Sequence, residues 1–271
     1  KNIRNIFLFF FQKIFIELKK NIYCLNYSHI KLCKTNLFLL EKFNYKLNAN
    51  FSVNPKIKSI TIVTDKNSWI NKYIPQFVIS LWARKFRVRW IHDINDIKKG
   101  DICFILSFSK IFNNQTLTLH KNNLVVHESD LPRGKGWSPL TWQILEGKNK
   151  IKFSLIEANL KVDSGSIYAQ DYLHLEGTEL INEWRFMQYD LTENLCLNWL
   201  DNFPNSLTKK IEQAGEETFY DRRYPSSSIL DINDNFINQF NKLRVVDNEK
   251  YPAFFKLKNK TYKIKIDDMN Y

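Results

Sequence analysis

The sequence predicts an α/β fold, a mostly parallel sheet with helices on both faces. Three observations predict it. Short β-branched or apolar runs alternate with helix-period segments from residue 59 onward. Those runs are apolar throughout, as in strands buried on both faces. Strand followed by helix followed by strand also needs crossovers, which lay helices over the sheet.

In order along the chain, Ser59–Thr64 (SITIVT) is the first strand. Lys72–Lys85 is a helix, with Ile74, Phe77, Val78 and Leu81 on one face and Pro75 in its first turn, where a missing N–H costs nothing. Phe86–Ile91 is the second strand, Asp101–Ser107 after Gly100 the third, and Asn123–His127 the fourth. Leu140–Glu146 is a helix closed by Gly147, and Ile151–Glu157 is a further strand. The first strand–helix turn, Asp65–Trp69, lacks GxGxxG, and no Walker A sequence occurs. The sheet is therefore Rossmann-like without a dinucleotide or ATP fingerprint.

Composition bounds the function. Apolar residues make up 44% of the 271, with 21 Phe, 12 Tyr and 7 Trp, enough for a packed core and against a disordered chain. Gly and Pro number 7 each, so loops are expected to be short. The net charge is +12, of which +9 falls in residues 1–58, leaving the main domain mildly positive. A mildly positive surface suits a phosphate-bearing small molecule at least as well as RNA. Cys24, Cys33, Cys103 and Cys196 have no paired spacing, which gives no zinc site and reads as reduced thiols in a cytoplasmic protein. The longest apolar stretch, Ile6–Leu18, is interrupted by Gln12, Lys13 and Glu17, so no transmembrane segment is expected. Residues 1–56 form a basic, Phe-rich extension, with a partial helical stripe at Ile6, Phe9, Phe10, Lys13 and Ile14.

Ligands of open parallel sheets bind beyond the carboxyl ends of the strands. The fourth strand ends at His127, beside the loop Glu128–Pro139, which makes His127 the best general base. Asp163, in the turn Val162–Ile167, is the candidate to orient it. A core-edge histidine and a turn-forming aspartate account for the same two residues without any chemistry.

The ordered set of residues around them decides between these readings. His127-Glu128-Ser129-Asp130-Leu131-Pro132, then Gly136-Trp137-Ser138-Pro139, Glu146-Gly147, and Asp163-Ser164-Gly165 with Ile167 and Gln170 follow one another. This series resembles the formyltransferase family, which includes methionyl-tRNA, glycinamide ribonucleotide and sugar N-formyltransferases. Glu217–Arg223 with Leu230-Asp231-Ile232, and Leu243-Arg244 with Tyr251–Phe255, resemble the tails of the bacterial sugar enzymes. The similarity covers about residues 57–267.

The resemblance implies N10-formyltetrahydrofolate as donor, His127 and Asp163 as catalytic residues, and folate contacts at Leu106, Ser107, Phe108 and Asp163. Ser129, Lys135, Trp137 and Arg223 are the expected substrate contacts, with Lys110 and Arg133 as further cations for phosphates. No metal is needed. The acceptor it implies is a nucleotide-linked amino sugar rather than nucleic acid. Residues 57–205 would be the catalytic domain and 206–271 a substrate or dimer subdomain, a candidate contact for a homodimer. One departure stands out. The family's Asn two residues before the histidine is Val125 here, with Asn123 the nearest amide. Formylation of methionyl-tRNA, a binding module disabled at Val125, and membrane or partner docking through the Phe-rich N-terminus are the rival readings.

Overall fold

The computed structural model describes residues 56–269. The helical stripe expected over residues 6–14 lies outside them. The described residues 56–268 belong to one compact unit.

Six strands make one sheet: β1 (Ser59–Val63), β2 (Arg87–Ile91), β3 (Ile102–Ile105), β4 (Asn122–His127), β6 (Lys150–Glu157) and β7 (Ile167–His174). Their order is β2-β1-β3-β4-β6-β7. The first four are parallel, and β6 and β7 join the β4 edge antiparallel. β6 runs antiparallel because the chain enters it from the end at which β4 stops, pairing Ser154 with His127. A separate two-residue strand, β5 (Lys135–Gly136), lies in the loop between β4 and β6.

The apolar runs are buried as their pattern predicts. Ile60 and Ile62 of β1 and Ile102 and Phe104 of β3 turn to one face, Val63, Cys103 and Ile105 to the other. On the first face lies α1 (Ile74–Ala83), with Pro75 in its first turn, and Phe77 packs against Phe104 at 5.6 Å between ring centres. On the same face lies α3 (Ile181–Asp201), which follows the short α2 (Pro139–Leu145) in the chain. The opposite face is closed by Phe112 and the short helical turns Ile94–Asp96 and Asn114–Leu117. Gly147 follows α2 at φ +82°, the left-handed residue that ends a helix.

The longest helix, α3, has no clean apolar period. Gln188, Thr192 and Glu193 are buried in it beside Trp184, Tyr189 and Leu195. The Glu193 carboxylate accepts hydrogen bonds from Ser80 Oγ (2.7 Å) and Tyr189 Oη (2.9 Å). Arg84, at the end of α1, grips Asp201, at the end of α3, through two 2.7 Å bonds.

Beyond α3 come β8 (Phe219–Tyr220), α4 (Phe236–Arg244) and the hairpin β9 (Ala253–Leu257) and β10 (Lys260–Ile264). Leu230, Leu243, Val246 and Ala253 form a small core of their own. Arg244 binds this segment to the rest, for it donates to Glu179, Asn149 and Asn241 while 1% exposed. No helix among the described residues is long and apolar enough to cross a membrane.

Candidate active site

The site forms where β4 ends. His127 is 5% exposed, and its Nε2 lies 2.8 Å from the Gly134 carbonyl oxygen. A carbonyl only accepts, so in the neutral ring the proton sits on Nε2 and Nδ1 carries the lone pair. Nδ1 lies 3.5 Å from Asp163 Oδ1.

Asp163 is held for that role. Its other oxygen accepts the Gly136 N–H at 2.9 Å, and its backbone sits at φ +50°. Gln213 Nε2 donates to the Asp163 and Gly165 carbonyls, both at 2.8 Å. Gly165 packs on the end of β6, where any Cβ would overlap the Glu157 carbonyl. The Asp-Ser-Gly order thus follows from sterics, because the aspartate reaches the histidine only if the turn lies flat on β6.

The loop between β4 and α2 is fastened on several sides. Ser154 Oγ donates to the Ser129 carbonyl at 2.8 Å, and Gln143 Nε2 to the Glu128 carbonyl at 2.6 Å. β5 pairs with β8, and a Cβ at Gly136 would stand 2.6 Å from the Tyr220 carbonyl oxygen. Tyr220 stacks on Trp142 at 6.0 Å and 7°.

His127 and Asp163 open onto a cleft of about 410 Å³, within the usual range for small-molecule sites. Ser107 and Phe108 line it as expected. Leu106 turns its side chain into the core and gives its N–H to Val63. Trp137 stands on the rim, 41% exposed, with the Arg222 guanidinium 4.9 Å over its ring. Lys110 also lines the cleft, and Arg133 is exposed on the loop.

Three expected substrate contacts sit elsewhere. Ser129 is 2% exposed beneath the loop and does not line the cleft. Lys135 is buried, its ammonium bound to Glu217 (2.7 Å) and Ser164 (2.9 Å), so it clamps the loop to the C-terminal segment. Arg223 is half-buried outside the cleft lining. A single sequence shows that a loop carries cations but not which way each one turns.

Val125 lines the cleft and brings no hydrogen-bond donor there. Asn123 does not replace it, because its amide donates to the Leu117 carbonyl at 2.9 Å, away from the cleft.

Sequence reasoning missed the opposite wall. Trp184, Arg185 and Gln188 come from α3, and Glu128 from the loop. Arg185 is bonded to Asp247 at 3.2 Å, with Trp69 and Trp184 5.8 and 5.7 Å from its guanidinium. Glu128 accepts from Gln188 Nε2 at 2.5 Å. Burial pushes the Glu128 carboxyl above the usual carboxylate range, against the pull of His127 and the Gln188 bond. Glu128 lay inside the stretch that carried the resemblance but was read there as a spacer. Among the described residues, no group of three His, Cys, Asp or Glu side chains is placed to hold a metal ion.

The same architecture occurs in known proteins. Methionyl-tRNA formyltransferase from Clostridium thermocellum superposes with a TM-score of 0.58 and 25% identity, over 77% of this chain and 97% of that one. The bifunctional polymyxin resistance protein ArnA of Wigglesworthia glossinidia brevipalpis is 26% identical over 177 residues, 62% of this chain and 26% of that protein. The chain is similar to formyltransferases in both sequence and fold. Within that fold, a 4-N formyltransferase from Francisella tularensis gives a TM-score of 0.57 at 16% identity, over 78% of this chain and 98% of that one. HypX from Aquifex aeolicus, solved in complex with tetrahydrofolic acid, gives 0.61 at 16% identity, over 76% of this chain and 37% of HypX. No family model matches the chain. It spans 26% of ArnA and 56% of the methionyl-tRNA formyltransferase of Finegoldia magna.

Proposed function

We propose that this chain moves a formyl group from N10-formyltetrahydrofolate to the amine of a nucleotide-linked amino sugar. The observation that carries the reading is the His127–Asp163 pair, buried together at the floor of a cleft in a formyltransferase fold. An amine attacking a formyl carbon must lose a proton, and His127, which lines the cleft, is the candidate base. Asp163 steadies the charged ring, and Nε2 stays tied to Gly134, so the ring keeps its orientation.

The cleft suits a flat folate ring. Ile105, Phe108 and Phe112 give it an apolar side, and the exposed Ser107 adds polar and main-chain groups at the end of β3. These residues would hold the ring. The donor, when bound, supplies an activated formyl carbon and a nitrogen that leaves once protonated.

The amino-sugar reading is supported by the C-terminal segment, whose Glu217–Arg223 stretch pairs with the catalytic loop through β5 and β8. It sets Tyr220 against Trp142 and Arg222 over the ring of Trp137. The cytoplasm is the expected location, since the folate donor is made and used there.

The test is to incubate the purified protein with N10-formyltetrahydrofolate and a panel of nucleotide amino sugars, and to follow tetrahydrofolate release. Release that depends on one sugar acceptor supports the reading. Release only with charged initiator tRNA would replace it with tRNA formylation, and ligand binding without release would make the chain a binding module.

A further inference from the structure

Among the described residues, the acid beside the proposed base is paired with no lysine or arginine. Glu128 follows His127 directly and lines the same cleft. One of its oxygens accepts the Gln188 amide at 2.5 Å. Its main-chain carbonyl is pinned by Gln143 at 2.6 Å, so the residue is held from both sides. Among the described residues, no lysine or arginine forms an ion pair with Glu128; His127 and Asp163 are the charged side chains that bear on it most.

The other acids of the cleft are occupied. Asp163 serves His127 and the Gly136 N–H. Asp65 accepts from the Ser109 N–H. Glu157 accepts from Asn122, the Asn123 N–H and Tyr168. The cleft's Arg185 is bonded to Asp247. A carboxylate held in a cleft and left without a cation is unfavourable unless a ligand brings one.

We propose that Glu128, set by Gln188, is the seat of the acceptor's ammonium group and the residue by which the site selects an amine. The proposal rests on the formyl-transfer reading and deepens it. Amines arrive in water largely protonated, so recognition begins with the ammonium. The proton count closes without a further reagent. Of the three N–H protons on the seated ammonium, one remains in the formamide. One passes through His127 to the folate nitrogen as its bond to the formyl carbon breaks. The third leaves to Glu128 and from there to water. The carbon–nitrogen bond to the acceptor forms as the bond to the folate nitrogen breaks, and nothing is oxidised or reduced.

The experiment compares the full chain with Glu128→Gln, whose amide oxygen can still accept from Gln188. The acceptor is the nucleotide amino sugar that the panel identifies, and the competitor is its counterpart with hydroxyl in place of amine. Wild type should bind the amine more tightly than the hydroxyl analogue. In Glu128→Gln the KM for the acceptor should rise about 10- to 100-fold, the loss expected for a hydrogen bond to a charged group. The preference over the hydroxyl analogue should vanish, while the KM for the folate donor stays within about twofold, a change worth well under 1 kcal/mol. A Gln188→Leu variant should raise the acceptor KM in the same direction. A merely structural role would lower kcat or donor binding and leave the amine preference intact.

An unchanged acceptor KM in Glu128→Gln, or a kept amine preference, overturns the inference while leaving formyl transfer standing. A wild type that transfers formyl to no acceptor on the panel removes the functional reading and this inference with it.

Discussion

His127 and Asp163 stand 36 positions apart in sequence and meet at 3.5 Å because Gly165 lets the intervening turn lie against β6. Asp163→Asn and His127→Asn should each lower kcat by about 10²- to 10⁴-fold in a stopped formyl-transfer assay, the range for a general base and its support. Circular dichroism should stay native, since Asp163→Asn keeps the side-chain shape and His127→Asn is a smaller polar replacement that adds no charge. Gly165→Ala should be worse for the fold than for chemistry alone. Its Cβ meets main chain that cannot give way, and a loss of about 3 kcal/mol in urea unfolding is expected. The sequence carried these residues plainly because each sits in a short local motif. It did not carry Glu128 or Gln188, whose roles come from a contact between loop and helix 60 positions apart.

At the scale of elements, the parallel strands were legible to within one or two residues: β1 and β3 read as apolar runs because they are buried, and β2, half-exposed at the sheet edge, as an alternation of Arg87 and Arg89 with Val88 and Trp90. The helix α3 was not legible. Gln188, Thr192 and Glu193 interrupt its apolar face, and each is satisfied or used only in the folded state. The join between α4 and the sheet domain depends on Arg244, 1% exposed and paired with Glu179 at 3.0 Å. Arg244→Ala should cost about 3–5 kcal/mol, read as a lowered thermal midpoint, because it strands a buried carboxylate.

Between β3 and β4, the His120 ring bonds Thr61 Oγ1 at 2.9 Å. Burial, with repulsion from Arg89, pushes its pKa down from 6.5 to about 4. The unfolded chain takes that proton near pH 6.5 while the folded one refuses it, so this contribution is complete above pH 6.5 and fades as the pH falls toward 4. Urea midpoints should therefore drop by the equivalent of about 2 kcal/mol between pH 7 and 5, and a His120→Asn variant should show a flatter profile.

For the whole molecule, the charge is lopsided: +9 of the +12 lies in residues 1–58. On the proposed reading the acceptor is a nucleotide sugar with few phosphates. Turnover with a sugar acceptor should therefore change by less than about threefold between 50 and 200 mM salt, against about 10³-fold or more for binding that neutralises many phosphates. A steep salt slope would point to tRNA. The fold class was legible as a whole because the succession of strands and helices, the loop motifs and the composition agreed. The orientation of loop cations was not. Lys135 and Arg133 look alike in sequence, yet one is locked to Glu217 and the other faces solvent. The most direct measurement is single-turnover formyl transfer from N10-formyltetrahydrofolate to a nucleotide amino sugar by wild type and His127→Asn. The account predicts rapid tetrahydrofolate release by wild type and almost none by the variant. Equal rates in the two would contradict it.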